Sequence, residues 1–196
     1  MSVIYTERMK LMANSKTDAR VRYTKSIIKE CFLALLMKKP LDKITVTELC
    51  RMAEINRATF YSHYNDCYDL YQSIEDEFLE EFQKTGKTEN WQDSRQLISD
   101  IYDSIDENIE ICDVLIFNVK NPTLLTKMIQ KAREYSMDRW AQIMPGLSEE
   151  ERDMLFLHLS TGLSAVIYKS FKVMDREELI DFMVEITNNC MAPYRE

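Results

Sequence analysis

The sequence predicts an all-α fold, with an N-terminal three-helix helix-turn-helix domain followed by a larger all-helical domain. Three observations carry this expectation. The 196 residues include only 3 Gly and 4 Pro, too few turn-formers for a β-rich fold. Apolar residues recur at helical spacing along most of the chain, and at 45% they suffice for a core. The stretch "ITVTELCRMAEINRATFYSHYND" holds two short segments, each opened by a capping residue, between longer helical patterns.

Residues 1–17 lack apolar periodicity and read as a flexible arm or a frayed first turn. From about residue 18 to 39, Ile28, Cys31, Phe32, Leu35 and Leu36 recur at i, i+3, i+4, and Lys38, Lys39 and Pro40 end the helix. Thr45 is a natural N-cap with Glu48 three residues on, a capping box for a short helix reaching about Ala53. Asn56 caps a second short helix, from Arg57 to about His63. Asp66 opens a long helix to about Lys84, with Leu70, Ile74, Phe78 and Phe82 on one stripe. These limits give an arm of 1–17, a helix-turn-helix domain of 18–65 and a C-terminal domain of 66–196.

The net charge of −8 is unevenly spread. Residues 1–65 carry 12 Lys and Arg against 6 Asp and Glu, whereas residues 66–196 carry 13 against 27. A basic N-terminal third on an acidic remainder points one end of the molecule at a polyanion.

The second short helix sharpens this. Phe60 and Tyr64, four residues apart, face the core. That leaves Arg57, Ala58, Thr59, Tyr61, Ser62 and His63 around the exposed part of a helix two turns long. These are phosphate and base-edge ligands, and the small Ala58 permits close approach to a groove. With the caps and the first short helix, the candidate DNA contacts are Thr45, Thr47, Asn56, Arg57, Ala58, Thr59, Tyr61 and His63.

At these residues the chain resembles the TetR/AcrR transcriptional regulators. The resemblance rests on "TVTELCRMAEINRATFYSHYNDCYDL", preceded by "SIIKECFLALLMKK", and covers about 50 residues. Thr45-Val46, Leu49-Cys50, Ala53-Glu54-Ile55, Thr59-Phe60-Tyr61 and His63-Tyr64 match the family pattern. Glu54 stands where the family usually has a turn glycine, and Cys67 where it usually has lysine. If the turn needs φ > 0, Glu54 costs about 1 kcal/mol. Cys67 removes a phosphate contact, and the backbone N–H groups of the helix start are left to hold that phosphate.

Beyond Lys84 the pattern stays helical. Expected helices span about 92–107, 108–120, 121–144, 148–172 and 176–191. "TGKTEN" is a connector, Asn121-Pro122 an N-cap with Pro at the first position, and "SEEE" and "DREE" are capping boxes. The helix around 154–171 is apolar nearly all round, so both sides need cover. Its small residues suit a partner helix. The resemblance implies an intersubunit four-helix bundle, which makes Ser160, Gly162, Leu163, Val166 and Ile167 the candidate homodimer interface. It also implies a small-molecule pocket in the C-terminal domain, for which Tyr102, Phe117, Tyr135, Trp140, His158 and Tyr168 are candidate lining residues. His158 fits a core or interface position better than a ligand contact.

No catalytic, Gly-rich phosphate-binding or metal-ligand motif is present, and no cofactor is expected. The scattered cysteines at 31, 50, 67, 112 and 190 read as free thiols in a reducing cytoplasm. No segment reads as a signal peptide, and the most apolar run is too short for a membrane span. The expected function is a homodimeric, sequence-specific regulator binding double-stranded DNA, a repressor released by an unknown small molecule. The alternative is an effector-independent regulator whose C-terminal domain docks on a protein partner. A helical enzyme is disfavoured by the missing catalytic groups.

Overall fold

The computed structural model describes residues 2–85, 93–117 and 123–195, with side chains from 19 to 84 in the first of these stretches. All regular elements among these residues are helical. They are α1 (Ser2–Leu36), α2 (Val46–Met52), α3 (Arg57–Tyr61), α4 (Cys67–Thr85), α5 (Ser94–Glu107), α6 (Ile109–Cys112), α7 (Thr123–Ile143), α8 (Glu149–Ser170) and α9 (Arg176–Met191). A π-helical turn, Asp113–Phe117, follows α6 directly. Single 3₁₀ turns at Leu41–Lys43 and Ala192–Tyr194 were not anticipated from sequence.

The backbone of 2–17, expected as an arm, is part of α1. A segment can lack an apolar stripe and still be helical. Residues 2–17 contain no Gly or Pro and several strong helix formers, among them Glu7, Arg8, Met9, Leu11 and Ala13. The helix stops at Leu36, three residues before the expected end. The expected connector around Gly86 and the Asn121-Pro122 cap lie outside the described residues.

The chain divides into two compact units, Met1–Ile74 and Glu75–Glu196, so the division falls inside α4 instead of at its start. In the first unit α1 packs on α2 and α2 on α3. Its buried side chains include Ile28, Phe32, Leu49, Phe60, Leu70 and Ile74. This is the stripe the helical period picks out.

In the second unit α5 lies along α9 and α7 along α8. Ser148 and Glu151 complete the first expected capping box, each side chain meeting the other's backbone N–H. Asp175 accepts from the amides of Glu177 and Glu178, which caps α9 from one side. Ion pairs tie α9 to α5: Arg95 meets Glu177 at 2.8 Å and also meets Asp181, and Arg176 meets Asp103 at 2.6 Å. One carboxylate goes inside. Glu75, 3% exposed, accepts from the Thr123 hydroxyl and from Lys127 Nζ at 2.7 Å. That bond with Glu75 raises the Lys127 pKa above its ordinary value. A buried carboxylate survives when it is paired in this way.

No helix among the described residues is long and apolar enough to cross a membrane.

Candidate nucleic-acid interface

The candidate interface is built from two caps and a turn. Thr45 ends its extended approach (ψ 145°) by accepting the Glu48 amide on Oγ1 at 3.2 Å, which starts α2. Glu48 directs its carboxylate mainly to Lys39, and that bond is the chief reason its pKa is lowered. Four residues, 53–56, join α2 to α3. Within them Glu54 has φ 54°, in the left-handed region. The turn therefore keeps the backbone conformation for which glycine is usual, with a residue that pays a steric penalty to hold it.

Asn56 then caps α3. Its Oδ1 accepts both the Thr59 amide (2.7 Å) and the Thr59 hydroxyl (2.9 Å), and the Ser62 hydroxyl donates to the Thr59 carbonyl. Phe60 is fully buried and Tyr64 nearly so. Asn56, Arg57, Ala58 and Tyr61 are exposed, as are Thr45 and Thr47, while Thr59 and His63 are half-buried. No carboxylate among the described residues pairs with Arg57. Tyr61 stands 51% exposed with its ring edge-on to Phe60. The surface of α3 thus offers one unpaired cation, a phenol and a small residue on a helix fixed from below by Phe60. The Thr59 hydroxyl is already donated to Asn56. α3 ends at Tyr61, two residues before the expected limit.

Cys67 corrects the reading of the α4 start. It is 5% exposed, and burial pushes its thiol up to about 11. The amides of Tyr68 and Asp69 both donate to Asp66 Oδ1 at 2.8 Å. The N–H groups thought available to a phosphate are occupied by the protein's own carboxylate. The pattern held the clue: Cys67, Leu70, Ile74 and Phe78 share one face of α4.

The C-terminal unit holds a partly open cavity of about 840 Å³. Of the six expected lining residues, Phe117, Tyr135 and Trp140 border it. Tyr102 is instead packed on Phe171, ring centroids 4.4 Å apart, under the Arg176 guanidinium. Tyr168 and His158 are exposed. Sequence reasoning missed Arg139 and Arg195, which also border the cavity. They are 56 positions apart, and no local pattern joins them.

The expected dimer residues separate by helical phase. Ser160, Leu163 and Ile167 border the cavity, with Ile167 buried. These positions (i, i+3, i+7) share the inward side of α8. Gly162 is exposed, and an added Cβ there meets nothing within 4 Å. Val166 lies in a shallow groove with Ala165, Lys169, Met174 and Phe182. Met154, Leu157, Tyr168, Phe182 and Ile186 stand between 38% and 62% exposed on α8 and α9.

No family model matches the chain, and no curated protein matches it in sequence. Solved structures do match. The dihydroxyacetone kinase operon activator DhaS superposes with a TM-score of 0.60 at 16% identity, over 88% of this chain and 98% of its own. A transcriptional regulator from Aquifex aeolicus VF5 gives 0.64 at 15% identity, over 85% and 98%. A TetR transcriptional regulator from Streptococcus agalactiae 2603V gives 0.59 at 19%, over 89% and 98%. At such identities the likeness is one of fold. The fold of this chain is that of the TetR/AcrR transcriptional regulators.

Proposed function

We propose that the chain is a homodimeric, sequence-specific DNA-binding transcriptional regulator, a repressor released when a small molecule enters the C-terminal cavity. The observation that carries the DNA-binding part is α3, a capped, core-anchored helix whose outer surface holds hydrogen-bonding side chains and an arginine with no carboxylate partner among the described residues. The basic balance of residues 1–65 supports it.

Homodimerisation is supported by the apolar residues left exposed on α8 and α9, around the bare Gly162. Two reading helices of such a dimer engage half-sites about 34–36 Å apart, one turn of duplex. Control by a small molecule is supported by the cavity, whose volume lies in the usual range for organic ligands and which favours this reading over docking on a protein partner. A ligand weakens DNA binding to the extent that it prefers the dimer state with the wrong spacing. The helix α4, continuous from Cys67 to Thr85, is the element through which such a preference would pass.

The test is fluorescence anisotropy with duplexes from upstream of the protein's own gene and its neighbours, repeated with a metabolite panel. Salt-sensitive binding that shows no preference among these duplexes over a scrambled duplex would end the reading.

A further inference from the structure

The cavity has a definite chemical character. Its walls are mainly aliphatic and aromatic, and no described lining residue is Asp or Glu. Its serine and threonine hydroxyls are already spent as donors. Ser136 donates to the Ala132 carbonyl at 2.7 Å, Ser164 to that of Ser160 at 2.6 Å, and Thr187 to that of Met183 at 2.8 Å. The lining Lys131 is paired with Glu134 at 2.8 Å.

Two cations remain. Arg139 has no carboxylate partner among the described residues, and Arg195 makes only a weak contact with Met191 Sδ at 3.6 Å. Burial, and then the neighbouring Arg195, lower the Arg139 pKa. Like charges held together without a counterion disfavour each other, so an anion between them would be favoured. The remaining space is long. Leu125, Met128, Ala132, Tyr135 and Arg139 border it along α7, and the fourteen helical rises from the first to the last span about 21 Å.

Resting on the reading of this cavity as an effector site, we propose that its ligand is an amphipathic organic acid: a carboxylate seated on Arg139 and Arg195, with a long apolar chain laid along α7. Arginine suits this role because its planar fork matches a carboxylate bidentately. With the serine and threonine hydroxyls spent, Gln83, Gln142 and the Tyr135 phenol are the neutral polar groups left against a mainly apolar wall, which suits an apolar chain better than a polar one. A cationic amphiphile meets only like charge.

Calorimetric titration of the full chain with dodecanoate, dodecanamide and dodecylamine, each below its critical micelle concentration, tests the proposal. Dodecanoate is expected to bind at least about tenfold more tightly than the other two. Arg139→Gln should weaken dodecanoate by about tenfold and leave dodecanamide unchanged, and Arg195→Gln should act in the same direction. Circular dichroism melts show whether each variant folds, and Arg195, exposed near the chain end, is the safer substitution. Equal binding of all three probes, absence of dodecanoate binding, or wild-type binding by both variants overturns the proposal. DNA release is read separately. Arginine-dependent dodecanoate binding that leaves the DNA complex intact sustains the ligand class and overturns the effector reading. Release by dodecanamide and dodecanoate alike does the reverse.

Discussion

The Asn56 side-chain oxygen holds both the amide and the hydroxyl of Thr59, at 2.7 and 2.9 Å. This double acceptance starts α3 and immobilises the one threonine on its surface. Asn56→Ala should cost about 1 kcal/mol in urea unfolding, the usual loss for an N-cap. Thr59→Val keeps the amide bond to the cap and should cost less. Equal losses would mean that the hydroxyl contributes as much as the cap.

Arg57 should be the leading DNA contact of α3. Arg57→Ala is expected to cost about 1–3 kcal/mol of operator affinity if the guanidinium reaches a base edge. A loss uniform across operator and scrambled duplex would instead put it on phosphate. Unchanged affinity, with unchanged circular dichroism, would remove it from the interface.

Glu54 holds φ 54° against its own preference. Glu54→Gly relieves a left-handed strain of about 1–2 kcal/mol and gives back part of that through a freer unfolded chain. The expected net effect is a stabilisation of about 1 kcal/mol, seen as a higher thermal midpoint. A lowered midpoint would mean that the carboxylate makes a compensating contact in solution.

Cys67 faces inward, and Cys112 is fully buried. Burial, helped by Asp66 and Asp113 respectively, pushes their thiols up to about 11 and about 12 from an ordinary 9.0. The folded state thus keeps its protons where the unfolded chain would lose them. The contribution is fully present below pH 9 and is lost as pH rises from there towards 11–12. A Cys67→Ala/Cys112→Ala variant should show a shallower loss of stability across that window, measured by urea melts at stepped pH. Cys67→Lys should lower stability by on the order of 2–3 kcal/mol, because it buries a long cation. It should leave the salt dependence of DNA binding where it was.

Gly162 lies bare on α8, so Gly162→Glu adds a side chain without a clash within the chain. If α8 and α9 meet a second copy there, the variant should fold by circular dichroism, run as a monomer in light scattering and lose the operator. A folded variant that stays dimeric would move the interface elsewhere.

Helix positions were largely legible because most long helices carry a stripe of period 3.6 and most starts carry a cap. Thr45, Asn56, Ser148 and Asp175 all mark real starts. The start of α1 was not legible, since residues 2–17 carry helix formers but no stripe. On α3, the split between buried Phe60 and Tyr64 and exposed Arg57 and Tyr61 follows from spacing alone. Spacing also contained the inward phase of Ser160, Leu163 and Ile167, but small-residue content grouped them with the outward Gly162. The Arg139–Arg195 pair was beyond reach, because only tertiary packing brings α7 beside the end of α9.

The course of α4 bears on how the protein melts. One unbroken hydrogen-bond ladder supplies buried Leu70 and Ile74 to the first unit and buried Phe78 and Leu79 to the second. Fraying that helix from either end strips core contacts from the unit at that end and shortens the helix available to the other. Helix formation is cooperative along its length, so partial unfolding is penalised twice. Differential scanning calorimetry should therefore record one transition whose van't Hoff and calorimetric enthalpies agree per cooperative unit, where a flexible linker would give two.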